Sequence, residues 1–234
     1  MASSAQIEML MRELLFVNYR VEPEALVKLV PRRLQPDTRT DSAGREIAFV
    51  SAVCFRVAEV SSNLLPLPRL SFEQVNYRAY VRMDQVPAVY FFDMKVNSRA
   101  VAALTGFLRA PIQFEDITLT SAEVETVGDV DYTFSSAGLQ VRARIPSGPD
   151  SAFEDVPSDF ITHRLVGYAG SDDNLFRIDV EHPMLSAVSA RIESARSPRL
   201  EQLGLLTADK SSCPSSALYV REALFKAKPP TREY

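Results

Sequence analysis

The sequence predicts an α+β fold that is mainly antiparallel β. Three observations carry this. Apolar residues alternate with period two along several runs, loops rich in turn residues separate those runs, and only a few short stretches have helical character. The length of 234 residues is enough to bury a sizeable core. With 46% apolar and 24% charged residues the chain is globular in composition, which excludes disorder. It is read as one domain, 1–234. The loop SGPDSAFEDVPSD (147–159) is the one place for an internal subdivision.

The elements follow in order. EPEALVKLVP (22–31) is a short helix, started at Pro23 and stopped at Pro31. In 45–60, Ile47, Phe49, Val53, Phe55 and Val57 share one parity, which is a strand signal. Residues 61–70 form a Pro-containing loop. The strand 72–83 is unusual. One parity reads Val75, Tyr77, Ala79, Val81; the other reads Gln74, Asn76, Arg78, Tyr80, Arg82. Such a strand has an apolar face and a hydrogen-bonding face. A third strand occupies 88–96. A helix follows over 97–111, with Asn97 or Ser98 as its cap and Pro111 beyond its end.

From about 113 onward strands dominate, at 117–127, 131–136 and 139–145. The turn SSAG (135–138) joins the last two as a hairpin. The segment 159–169 starts with a helical turn and runs into a strand. Further strands are read at 174–182 and 215–228, and a short helix at 198–205. A sheet that curls around a polar face encloses a pocket.

Reactive side chains are scarce. There are 2 Cys, 2 His and no Trp, and 21 of the 26 basic residues are Arg. Cys54 and Cys213 cannot build a disulfide framework or, alone, a zinc site. Cys54 reads as core packing. The first residues lack a basic n-region, and no apolar run nears the ~20 residues that cross a bilayer. The expectation is a cytoplasmic protein with no membrane partner. A net charge of −4 gives no electrostatic reason to bind nucleic acid, and Arg32 and Arg33 are read as solvated. No GxSxG, GxGxxG or P-loop is present, so no cofactor is expected.

Four candidate groups remain. Lys95, the only Lys between 28 and 210, lies beside Asp93. A buried lone Lys forms Schiff bases; the bland alternative is a strand-end Lys paired with Asp93. His163 is the better acid/base candidate of the two His. His163, Glu181 and His182 have no HxH or HExxH spacing, so no metal site is expected. Gln74, Asn76, Arg78 and Tyr80 form either a ligand wall, with Arg78 as a carboxylate clamp, or an exposed or structural sheet face. Alternation alone does not choose between these.

RELLFVNYRVEPEALVKLVPRRL (12–34), FEQVNYRAYV (72–81) and VYFFDMKVNSRAVAAL (89–104), with Pro111, resemble acetoacetate decarboxylases. Asn76-Tyr77-Arg78-Ala79-Tyr80-Val81, Ser98-Arg99, Thr162-His163-Arg164 and His182-Pro183 are closer to the YqjF-like family of the same superfamily. The resemblance implies a β-barrel or cone around a central cavity, flanked by small helices, and self-association. It also implies an active-site Arg at Arg12, whose bland reading is an exposed partner for Glu13. The decarboxylases keep a Pro-Lys-Lys motif in which one Lys lowers the pKa of its neighbour. This chain reads Pro111-Ile112-Gln113 there, and Gln74 stands where the decarboxylases have Glu.

Two functional expectations follow. One is a small-molecule-binding protein that takes a partly apolar anion, with Arg12, Gln74, Asn76, Arg78 and Tyr80 as contacts. The other is a lyase, hydratase or decarboxylase acting on a keto or carboxylic acid through Lys95 or His163. A weaker third is a structural oligomer with a closed cavity.

Overall fold

The structure is a computed structural model and describes residues 6–63, 70–107, 112–124, 128–148 and 158–233. The chain begins with β1 (Ile7–Val21), α1 (Pro23–Val27), β2 (Gln35–Pro36), β3 (Arg39–Thr40) and β4 (Glu46–Ser62). It continues with β5 (Phe72–Met83), β6 (Val86–Val96), α2 (Arg99–Phe107), β7 (Ile112–Phe114) and β8 (Thr118–Glu123). Then come β9 (Val130–Ser135), β10 (Gln140–Ile145), α3 (Ser158–Thr162), β11 (Val166–Ser171) and β12 (Asn174–Glu181). The last elements are β13 (Val188–Ser189), β14 (Arg191–Arg196), α4 (Pro198–Gln202), α5 (Ala208–Ser211), β15 (Ser216–Ala227) and β16 (Thr231–Glu233).

The strands β15-β1-β4-β5-β6-β11-β12 are neighbours in that order, and β12 pairs back to β15. The large sheet therefore closes into a ring. The closure is thin, two residue pairs at Val180–Ala227 and Glu181–Lys226. Most pairings are antiparallel, as expected, but β6 runs parallel to both β11 and β7. For β7 the reason is local: α2 carries the chain back, so the next strand starts in the same direction. The ring is thus a mixed and irregular one rather than a regular barrel. A second sheet, β14-β10-β9-β8, stands apart from it.

Both faces of the ring strands are buried. Residues 48–55 of β4 are all closed to solvent. One parity (Ala48, Val50, Ala52, Cys54) packs outward with the second sheet's Leu119, Tyr132, Phe134 and Val141. The other (Phe49, Val53, Phe55, Val57) packs inside the ring with Leu14, Phe16, Phe72 and Leu218. In β5 the apolar parity, Val75, Tyr77, Ala79 and Val81, joins the outer core.

Ser98, not Asn97, caps α2: its Oγ accepts from the Val101 amide at 3.3 Å. Asn97 instead ties the strands, its Oδ1 accepting from the Glu73 amide at 2.9 Å. The hairpin between β9 and β10 is closed by the Ser136 amide on the Leu139 carbonyl at 2.8 Å. Several elements carry no clear sequence signal, β1, β14 and α5 among them. In β1 the alternation breaks midway, β14 is charged along much of its length, and α5 is a single turn capped by Thr207. Most of the expected boundary loop, 149–157, and Pro111 lie outside the described residues.

Candidate functional site: a cavity inside the ring

The ring surrounds a partly open cavity of about 260 Å³, lined by residues from all seven of its strands and from α2. Its wall is largely hydrocarbon. Phe16, Phe55, Phe72 and Phe91 contribute rings, and Met9, Met11 and Met94 contribute thioethers. The polar part is small: Gln74, Asn76 and Arg78 from β5, then Thr105, Thr162, Arg164, His182 and Lys228. This is the alternation of 72–83 put to use. The parity opposite the outer core must face inward, so its hydrogen-bonding residues look into the ring.

Arg78 is held from several sides. Its Nη2 donates to the Ile161 carbonyl at 2.8 Å and to the Tyr80 hydroxyl at 3.1 Å. Its guanidinium also lies 5.2 Å from the ring centres of Phe16 and Tyr80. Its Nε is closed to solvent and has no acceptor. Tyr80 does not line the cavity; it stands behind Arg78, fully buried. Its hydroxyl lies 2.8 Å from Ser51 Oγ, which donates to Asn18 Oδ1 at 2.6 Å. Asn18 Nδ2 donates on to Ser216 Oγ at 3.1 Å. One chain of hydrogen bonds thus crosses β5, β4, β1 and β15 and ends on the Arg78 guanidinium. Ser51 and Asn18 sit in apolar runs, and only their being polar there hints at this role.

Arg164 is matched within the protein. Its Nη1 lies 2.7 Å from Asp37 Oδ2, both side chains being almost wholly buried, and its Nε donates to the Phe160 carbonyl at 2.8 Å. Burial lowers its pKa, and the Asp37 contact opposes that shift. Asp37 also takes Arg82 Nε at 2.6 Å.

The two histidines meet. The rings of His163 and His182 lie edge to face, 5.4 Å between centres, and His182 packs on Phe225 at 4.6 Å. His182 is the one that lines the cavity; the expected acid/base, His163, backs it, and its Nδ1 is buried without a partner. Burial pushes the His182 pKa below its ordinary value, and the charges of His163 and Arg78 add to this. Hydrogen bonds to the backbone of Pro183 and Arg164 oppose it. Among the described residues no three His, Cys, Asp or Glu side chains are grouped to hold a metal.

Two expected contacts are placed elsewhere. Arg12 faces outward, half exposed, and pairs with Glu222 at 2.5 Å. The reason is an irregularity in β1: the register against β4 shifts between Arg12 and Leu15, and Glu13 takes a positive φ of 57°. The inward set therefore changes from Met9 and Met11 to Leu14 and Phe16, and Arg12 misses it. It borders a polar cleft with Glu13, Arg56, Arg221 and Glu222, where the charges of both signs pair with one another. Lys95 also lies outside. It stands opposite Val75, an outer-core residue, and directly paired residues share a face. Its Nζ donates to Gln113 Oε1 and sits 3.6 Å from Asp93. This placement removes Lys95 as an amine for anything bound in the cavity. Ile112, at one of the two motif positions without Lys, is part of the wall.

The family described as an uncharacterized conserved protein (COG2071), DUF2071, matches residues 8–222. The chain belongs to this family. No curated protein sequence matches it. Among solved structures, the enduracididine biosynthesis enzyme MppR, complexed with the condensation product of pyruvate and imidazole 4-carboxaldehyde, superposes with a TM-score of 0.64 at 15% identity, covering 98% of this chain and 90% of that one. An acetoacetate decarboxylase-like enzyme from Sphingomonas wittichii RW1 gives 0.59 at 14% identity, covering 100% and 94%. The acetoacetate decarboxylase of Legionella pneumophila gives 0.61 at 10% identity, covering 97% and 87%. At these identities the likeness shows the fold: this DUF2071 chain has the acetoacetate decarboxylase-like architecture. No helix among the described residues is long and apolar enough to cross a membrane.

Proposed function

We propose that the protein binds a small, partly apolar anion inside the ring, as a cytosolic binding protein. Arg78 anchors the anion, and Gln74 and Asn76 lie beside it on the same face of β5. The observation that carries this reading is the state of Arg78. Its Nε is buried without an acceptor in a cavity of about 260 Å³, and among the described residues no carboxylate pairs with it. A buried donor left unmade costs ~1–3 kcal/mol, which an anionic ligand recovers. The test is a thermal-shift screen with small carboxylic acids on wild type and Arg78→Ala. Ligands that stabilise wild type are expected to lose their effect in the variant; an equal shift in both sinks the reading.

A second reading is a lyase-type enzyme acting on a small keto or carboxylic acid. It is supported by the solved neighbours, which are enzymes, and by His182 on the cavity wall. The chemistry would be proton transfer by His182 with the carboxylate on Arg78, since Lys95 stands outside. Incubation with small keto acids, followed by proton NMR, tests it. Turnover that survives His182→Gln unchanged would exclude this assignment.

A further inference from the structure

The charges around the cavity differ in how far the protein itself answers them. Arg164 faces Asp37 at 2.7 Å. Lys228, at the rim and half exposed, faces Glu181 at 3.9 Å. Only Arg78, of the cationic side chains on the wall, has no carboxylate opposite it among the described residues; it has the hydroxyl of Tyr80, a carbonyl and two ring faces. The polar neighbours also bond within the protein. Gln74 Nε2 donates to Asn76 Oδ1 at 2.7 Å, and Thr162 Oγ1 donates to the Ser158 carbonyl at 2.8 Å. His182 adds an imidazole and Thr105 a hydroxyl that donates to the Val101 carbonyl at 2.8 Å; most of the remaining wall is methyl, methylene and aromatic carbon.

We propose that the cavity selects a monocarboxylate with a hydrocarbon body of medium length, an alkanoate or aryl-alkanoate. This deepens the anion-binding reading and rests on it. One charge is needed and one only. A second carboxylate would enter a wall whose other guanidinium is already paired, and a hydroxylated body would exchange most of its water contacts for hydrocarbon. The size follows by proportion. An apolar cavity of about 150 Å³ holds benzene. A volume of about 260 Å³ accommodates on the order of ten non-hydrogen atoms on the same scale. Octanoate and phenylacetate each have that many. Keto acids of three or four carbons have fewer non-hydrogen atoms and would leave roughly a third of that volume unfilled.

The experiment is isothermal titration of the full chain with the even-numbered alkanoates from butanoate to dodecanoate, together with phenylacetate, octanedioate and pyruvate. Affinity should rise about fourfold per methylene up to octanoate and then stop rising. Octanedioate should bind at least tenfold more weakly than octanoate, and Arg78→Met should lose at least tenfold for octanoate. Tighter binding of pyruvate than of octanoate overturns the hydrocarbon class while leaving an anion site in place. Binding that climbs through dodecanoate and is unchanged in Arg78→Met is surface adsorption and overturns the proposal. The absence of binding by every acid overturns both the class and the anion reading. The chain-length series is read on wild type, so it stands even if Arg78→Met fails to fold.

Discussion

Arg164 and Asp37 are joined at 2.7 Å across 127 residues of chain, with both side chains closed to solvent. The pair links the residue that follows β2 to the stretch between α3 and β11, and it fixes Arg164 on the cavity wall. Asp37 also holds Arg82, so one carboxylate organises two guanidinium groups.

Replacing Asp37 tests this arrangement. Asp37→Asn leaves a buried guanidinium without its counter-charge, and breaking a buried pair from one side costs ~3–5 kcal/mol. Urea unfolding should show a loss of that order. A loss below ~1 kcal/mol would mean that Arg164 finds another partner or water.

Removing one hydroxyl tests the hydrogen-bond chain that ends on Arg78. Tyr80→Phe keeps the ring and deletes the link between Arg78 and Ser51. The expected cost is ~1–3 kcal/mol of stability, with weaker carboxylate binding as Arg78 loses one of its two acceptors. Unchanged binding in a folded variant would show that the Ile161 carbonyl alone positions Arg78.

His182 gives a pH prediction. Its pKa in the folded protein lies below the ordinary value of 6.5, chiefly through burial. As pH falls through 6.5 the unfolded chain takes up the proton first, so stability falls with pH until the folded-state pKa is reached. His182→Gln should make stability less dependent on pH below neutrality, measured by denaturant unfolding at a series of pH values. A bound anion beside Arg78 should raise the His182 pKa and reduce the same loss. Identical pH profiles for variant and wild type would contradict the burial-driven shift.

The thiols give a simple count. Cys54 is fully buried on the outer core, its pKa pushed up to about 12 by burial, whereas Cys213 is exposed. A thiol-specific reagent at pH 8 should titrate one group in the native protein and two after denaturation. Two fast native groups would mean that the interface between the ring and the second sheet opens readily.

The strand 72–83 and its two faces are legible in the residues alone, because period two places Gln74, Asn76 and Arg78 together whatever surrounds them. So is the absence of Lys at 112 and 113. Which face of β5 looks inward is not legible there, since alternation fixes relative sides only. Closure of the ring through β12 and β15 decided that. The fate of Arg12 was likewise tertiary: a register shift near Glu13 moves the inward set by one residue, and a chain read as alternating gives no warning of it. The meeting of His163 with His182, and of Arg164 with Asp37, depends on contacts between segments distant in sequence, which only the closed sheet brings together.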